Sequence, residues 1–274
     1  MPVAVHLRVP AKLNIFLHIT GRRSDGYHLL QTVFRAVNLY DELALTLTTS
    51  GDITRSVGPE NVPVQTDLCV RAAHLLKAHT QYSGGADIAL YKKIPLGAGM
   101  GGGSSDAAGV LLGLNQLWQL QLPVVELADL ALQLGADVPF FLRGGDQWAE
   151  GIGAQLTPIT LAPSHYVIVH TAQHCATAEL FAAPTLKRDC VPISIEQMQS
   201  GADTCNVFEP LILTRYPEIA RAHAWLIAQA GNARLTGSGG AIFARVADHK
   251  AALRIKNACP TAWQAWFARS IGNP

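Results

Sequence analysis

The stretch PLGAGMGGGSSDAA, Pro95–Ala108, sets five glycines and two serines directly ahead of an apolar run. Glycine loses more conformational freedom on folding than any other residue, so such a cluster needs a physical reason. GAGMGG, residues 97–102, formally fits the dinucleotide fingerprint G-x-G-x-x-G. That motif wants a strand ending in its first glycine and an acidic residue about 20 positions on, at the end of a second strand. Here Pro95 precedes the loop, and Glu126 and Asp129 fall in a helical pattern. A Walker A loop needs Lys and then Ser or Thr after its last glycine, and GGGSS lacks the lysine. A third reading is an anion cradle of another type. Glycines turn main-chain N–H groups inward and let phosphate oxygens approach without meeting a Cβ, while Ser104 and Ser105 cap a helix whose N-terminus faces the same anion. The plain alternative is a turn that lets a buried helix pack tightly.

Outward from the loop, SSDAAGVLLGLNQLW is apolar almost all round and predicts a helix buried on several sides. Upstream, KLNIFLHIT alternates, with Leu13, Ile15, Leu17 and Ile19 on one face and Lys12, Asn14, Phe16 and His18 on the other. This predicts a strand with one core face and a polar face left over. VNLYDELALTLTT reads as a further strand pair and ADIALYKKI as a strand, while DLCVRAAHLLKAH has the stripe of an amphipathic helix. PVVELADLALQLG is a helix between Pro123 and Gly135; DVPFFL, DQWAEGIGAQLTPI and SHYVIVHT read as strands. PEIARAHAWLIAQAG is a helix and ARLTGSGGAIFARV a hairpin, and the segments around 50–66 and 187–201 are irregular. Strands and helices mix without a βαβ beat, so the fold class is α+β. The domains divide near residue 157, into 1–157 and 158–274.

The composition bounds the partners. Apolar residues are 49% and charged residues 15% of 274, with 21 Lys and Arg against 20 Asp and Glu. A net charge of +1 gives no footing to a non-specific nucleic-acid or membrane partner. No run approaches the ~18 apolar residues of a spanning helix, and the first twenty residues are not a leader peptide. Five scattered cysteines without CxxC spacing read as reduced, buried thiols of a cytoplasmic protein. A homodimer is compatible with the sequence, which carries no signal of oligomeric state.

PLGAGMGGGSSDAA resembles the ATP loop of the galactokinase–homoserine kinase–mevalonate kinase–phosphomevalonate kinase superfamily. PAKLNIFLHI near the start and LTGSGGAIFARV near the end resemble its other motifs in order. PAKLNIFLHITGRRSDGYHLLQTVF and GADVPFFLRGG narrow the likeness to the branch whose acceptor is a cytidine-diphosphate-linked methylerythritol. The likeness runs from residue 10 to about 246. It implies a two-domain fold with the active site in the cleft between domains, and ATP and Mg²⁺ as cofactors. It implies Lys12 and Asp137 as the catalytic pair, Asp137 orienting a hydroxyl and Lys12 offsetting charge. ATP falls to Lys92, Pro95, Leu96, Gly97, Ala98, Gly99, Met100, Gly101, Gly102, Gly103, Ser104 and Ser105. The acceptor falls to Asn14, Tyr27, His28, Phe34, Thr177 and Phe181, with the glycine turn near residue 238 buttressing the first loop. Asp106 stands where the superfamily favours Asn, and no metal ligand is assigned. A homoserine- or mevalonate-type kinase and a silent ATP-binding sensor stay open, although DGYH would then have no base to hold.

Overall fold

In a computed structural model, which describes residues 3–272, the alternation around Lys12 becomes part of one unbroken strand, β1 (Ala4–Arg22). It pairs with β2 (His28–Thr48). The strand pair expected over VNLYDELALTLTT is a single strand. Asp41, in the middle of that stretch, is fully buried because its carboxylate accepts the main-chain N–H groups of Lys93 at 2.5 Å and Ile94 at 2.8 Å.

Next come β3 (Ile53–Val57), inside a segment expected to be irregular, α1 (Leu68–Thr80), β4 (Gly85–Tyr91), α2 (Gly102–Leu117) and α3 (Val124–Leu134). Asp67 caps α1 through Cys69 N–H at 2.7 Å, a standard stabilisation of an N-terminal turn. DVPFFL is not a strand but the helix α4 (Val138–Arg143). Pro139 sits in its first turn, where no N–H is needed, and a short apolar run does not distinguish the two states by period.

The remainder runs β5 (Asp146–Glu150), β6 (Gln155–Ile159), β7 (His165–His170), α5 (Thr177–Ala182) and α6 (Ile195–Gln199). Then follow α7 (Glu209–Arg215), α8 (Pro217–Ala230), β8 (Arg234–Leu235), β9 (Ala241–Val246), α9 (His249–Asn257) and β10 (Gln264–Arg269). The class is α+β. Among the described residues no helix is long and apolar enough to cross a membrane. All five thiols are unpaired; Cys69, Cys175 and Cys190 are buried, whereas Cys205 is exposed.

The chain gathers into two compact units, neither of them contiguous. One holds the chain up to Ala11, Leu39–Ile94 and Gly101–Gly144. In it β4 pairs in parallel with β3 and antiparallel with residues 42–48 of β2. Helix α2 lies close on the strands: a Cβ at Gly109 would overlap Val9, and one at Gly113 would overlap Leu45 and Leu7. The second unit holds Lys12–Asn38, Pro95–Met100 and the chain from Gly145 onward. Here the β5–β6 hairpin pairs with residues 32–35 of β2, and an antiparallel sheet runs β10-β7-β9-β8. Val167, Val169, Ile242 and Ala244 on one face of that sheet join Leu17, Ile19, Phe208, Ile219, Leu226 and Ile255 in a core. Each such buried Leu or Ile contributes roughly 1.5–3 kcal/mol of transfer free energy.

Candidate active site

In the second unit the first half of the glycine stretch is fixed by main chain against main chain. Gly97 and Gly99 have φ of +68° and +80°, the left-handed region where a Cβ is costly. A Cβ on Gly99 would overlap the Thr236 carbonyl and Gly239, and a Cβ on Gly239 would overlap Gly99 and Ala98. Ala241 N–H donates to the Ala98 carbonyl at 3.1 Å. The turn between β8 and β9 therefore buttresses the loop at atomic contact. Leu96 and Gly97 are exposed, Pro95 and Gly99 half-buried, and Ala98 and Met100 buried.

Strand β1 docks beside this loop, Lys12 N–H donating to the Met100 carbonyl at 2.9 Å. The expected polar face of the strand is not left over: Lys12, Asn14 and His18 are all buried. Lys12 Nζ donates to Asn14 Oδ1 at 2.5 Å and lies 5.0 Å from the centroid of the Phe34 ring. Asn14 is itself held twice. Its Nδ2 donates to Thr32 Oγ1 at 2.9 Å, and Thr236 Oγ1 accepts its main-chain N–H at 2.9 Å. Thr32 and Thr236 are fully buried, so the amide that orients the ammonium has little freedom.

In the first unit the second half of the stretch starts α2. Gly101, at φ +69°, is the N-cap residue, and Ser105 N–H donates to its carbonyl at 2.8 Å. Ser104 and Ser105 thus lie inside the helix and do not cap it, because the flexible glycines let the helix begin three residues earlier than a Ser104 cap would set it. The Cβ of a residue at 102 would meet Lys92 Nζ and Ile94 at 3.0 Å, whereas one at Gly103 would meet only Leu68 at 3.6 Å, an ordinary contact.

Beneath this turn Lys92 Nζ donates to Asp41 Oδ2 at 2.5 Å and Asp106 Oδ2 at 2.6 Å. Burial alone would lower the Lys92 pKa; the carboxylates of Asp106 and Asp41 outweigh it and raise it. Burial pushes the Asp106 carboxyl up, against the pull of Lys92. Ser105 Oγ and Asp106 Oδ1 are buried with no hydrogen-bond partner. Asp137, half-buried, stands at the N-terminus of α4 with φ −82° and ψ −16°.

Tyr27, His28 and Phe181 line a separate opening of the second unit, about 620 Å³, with Arg22, Leu30 and Ile152. Tyr27 is 62% exposed and its ring is open to a ligand. His28 packs on Phe181, centroids 5.0 Å apart, and its Nε2 accepts from Arg188 Nε at 3.0 Å. Burial first, then Arg188 and Arg22, lowers the His28 pKa, so the ring is neutral with its proton on Nδ1. Phe34 does not line this opening; it is buried under Lys12. Thr177 shares a 3.0 Å hydrogen bond with Ser238 of the β8–β9 turn. Thr32, Thr236, Asp41 and Arg188 were not legible as site residues, since each acts on a partner far away in sequence.

Comparison with known proteins agrees with this geometry. The family models described as GHMP kinases N terminal domain and GHMP kinases C terminal match residues 67–145 and 184–265. A 4-diphosphocytidyl-2-C-methyl-D-erythritol kinase from Aromatoleum aromaticum is 48% identical over 262 residues, covering 96% of this chain and 92% of its own length. A crystal structure of 4-(cytidine 5'-diphospho)-2C-methyl-D-erythritol kinase superposes with a TM-score of 0.84 at 34% identity, over 98% of this chain and 100% of the other. Homoserine kinase from Cytophaga hutchinsonii shares the fold alone, with a TM-score of 0.71 at 18% identity over 98% of this chain and 95% of its own. Near-half identity over 96% of the chain, with both GHMP models matched in order, shows the family: this chain belongs to the 4-diphosphocytidyl-2-C-methyl-D-erythritol kinases of the GHMP kinase family.

Proposed function

We propose that this chain transfers the γ-phosphoryl group of ATP to the 2-hydroxyl of 4-diphosphocytidyl-2-C-methyl-D-erythritol. Residues 1–157 carry the ATP side and residues 158–274 complete the acceptor side, in the bacterial cytoplasm. The observation that carries the reading is the buried Lys12 ammonium, oriented by an Asn14 that Thr32 and Thr236 hold in place. Phosphoryl transfer asks a protein for alignment and charge neutralisation more than for covalent chemistry. The main-chain N–H groups of residues 96–105 receive the phosphates, and the dipole of α2 adds to them. Asp137 orients the acceptor hydroxyl and takes its proton. Lys12 offsets the charge that builds on the transferring group, and Asn14 limits where that ammonium points.

The cytosine stacks on Tyr27, and the neutral His28, its tautomer fixed by Arg188, presents an Nδ1–H to the rim of the base. Phe34 and Thr177 border the acceptor, Phe34 through its packing under Lys12 and Thr177 through its bond to Ser238. Mg²⁺ takes hard oxygen ligands and keeps several from phosphate and water, which fits the two unpartnered oxygens, Ser105 Oγ and Asp106 Oδ1. When bound it supplies charge neutralisation on the β- and γ-phosphates.

Assaying homoserine, mevalonate and the cytidylyl acceptor side by side tests the assignment: only the last becomes phosphorylated. Asp137→Asn lowers kcat by about 10³-fold or more and leaves ATP affinity within about threefold. Turnover restricted to homoserine or mevalonate, or an Asp137→Asn enzyme of normal rate, refutes the proposal.

A further inference from the structure

Strand β9 alternates between two environments. Ile242 and Ala244 face the core, while Phe243 and Arg245 face the other way. On that outer face Phe243 is registered with Arg234 of β8, and Arg245 with Tyr166 of β7. Together with Ile15, Leu161 and Met198 they wall a cavity of about 510 Å³ within the second unit. Its floor is apolar, with Tyr166 and Phe243 edge to face at 5.8 Å, and its polar lining sets Arg35, Arg234 and Arg245 among the neutral Thr160, Gln199 and Asn232, with no carboxylate among the lining residues.

Three guanidinium groups line this cavity, and they differ in how their charge is met. Arg35 lies 3.3 Å from Asp146 and also donates to Tyr166 Oη and the Ala162 carbonyl. Arg234 donates to the Ile15 carbonyl at 2.8 Å and to Thr204 Oγ1 and carbonyl at 3.0 and 2.6 Å, all of them neutral acceptors. Among the described residues neither Arg234 nor Arg245 lies within ion-pair distance of a carboxylate. The two like charges face one space, and solvent screens the exposed Arg245 more than the half-buried Arg234. Arg234 is nonetheless held rigid, which lowers the entropic cost of receiving a ligand.

We propose that this cavity binds a small phosphate monoester with an apolar body. Arg234 and Arg245 hold the phosphate through charge-assisted, forked hydrogen bonds, and Ile15, Leu161, Met198 and Phe243 enclose the apolar part. Arg234 ties the site to the strands that carry Asn14 and Thr236, since it is bonded to Ile15 and precedes Leu235 directly.

Calorimetric titration of the full chain tests this, with the nucleotide cradle filled by a saturating non-hydrolysable ATP analogue. The probes are phenyl phosphate, inorganic phosphate and benzyl alcohol. Phenyl phosphate binds saturably at one site, at least about tenfold more tightly than either of the others, because head and body act together. Arg245→Ala removes a cation and Gln199→Glu places a carboxylate beside the cavity; both positions are exposed, so both variants fold. Each weakens phenyl phosphate by about tenfold or more and leaves turnover without phenyl phosphate within about twofold. Absence of saturable binding, equal affinity in both variants and the parent, or inorganic phosphate binding as tightly as phenyl phosphate overturns the proposal.

Discussion

The two halves of the glycine-rich stretch use the same residue for opposite ends. In residues 97–100 glycine serves the fold: Gly99 is so close to Thr236 and Gly239 that no side chain fits, whatever is bound. In residues 101–103 that demand falls away only at the end: Gly101 sits at φ +69° and a Cβ at 102 would meet Lys92 and Ile94 at 3.0 Å, whereas one at Gly103 would meet only Leu68 at an ordinary 3.6 Å. A glycine that its own protein does not require points to a requirement from outside it, the close approach of an anion. The lesson is that a glycine motif is a composite. Its rigid half sets the position, and in the proposed function Gly103 leaves room for the phosphates.

Substitutions sharpen that contrast. Gly99→Ala has the largest expected effect, since it combines a φ of +80° with backbone overlap. It destabilises by about 4 kcal/mol or more, a fall of roughly 10 °C in Tm by thermal denaturation. Lys92→Met comes next, leaving Asp41 and Asp106 buried without their shared cation. The expected loss is about 3–5 kcal/mol in urea titration, and a loss under ~1 kcal/mol would remove Lys92 as the anchor of this turn.

Gly103→Ala inverts the pattern. Stability stays within about 1 kcal/mol of the parent, because alanine favours a helix, while the KM for ATP rises about tenfold as the methyl group obstructs the phosphates. Should Gly103→Ala unfold the protein instead, the division between the two halves fails. The smallest change is Asp106→Asn, which keeps a polar partner for Lys92. Folding raises the Asp106 carboxyl from its ordinary 3.8 to about 8, so the folded state binds the extra proton. Its contribution is therefore full below about pH 4 and is lost as pH rises towards about 8. In Asp106→Asn that downward slope disappears; an unchanged slope refutes the assignment to Asp106.

Much of this was legible from local pattern. The spacing of Leu127, Leu130, Ala131 and Leu134 marked the inner face of α3, of which the first three are buried and Leu134 is only half-buried, and Pro123 and Gly135 bounded it. The alternation about Lys12 gave a strand, and the glycine stretch gave the loop. What failed depended on distant partners. VNLYDELALTLTT read as two strands although it is one, because Lys92, Lys93 and Ile94, which bind the buried Asp41 in its middle, lie some fifty positions away. The serines looked like caps because their chemistry suits that position, yet Gly101 took it. VPFFL carried a usable sign in Pro139, outweighed by the apolar run. Asn14 was visible as polar, but Thr32 and Thr236, which make it an instrument of orientation, were not.

The strands β1 and β2 each begin in one unit and end in the other. On the ribosome this sets an order of assembly. Every residue of the first unit has been synthesised once Gly144 is added, whereas Lys12–Asn38, made early, must await partners from Gly145 onward. At about 5–20 residues per second the remaining segment takes roughly ten seconds to emerge, an interval in which early β-strand is present without its later mates. Synthesis speed over nearly the last half of the message thus becomes a determinant of how much chain reaches its native pairing.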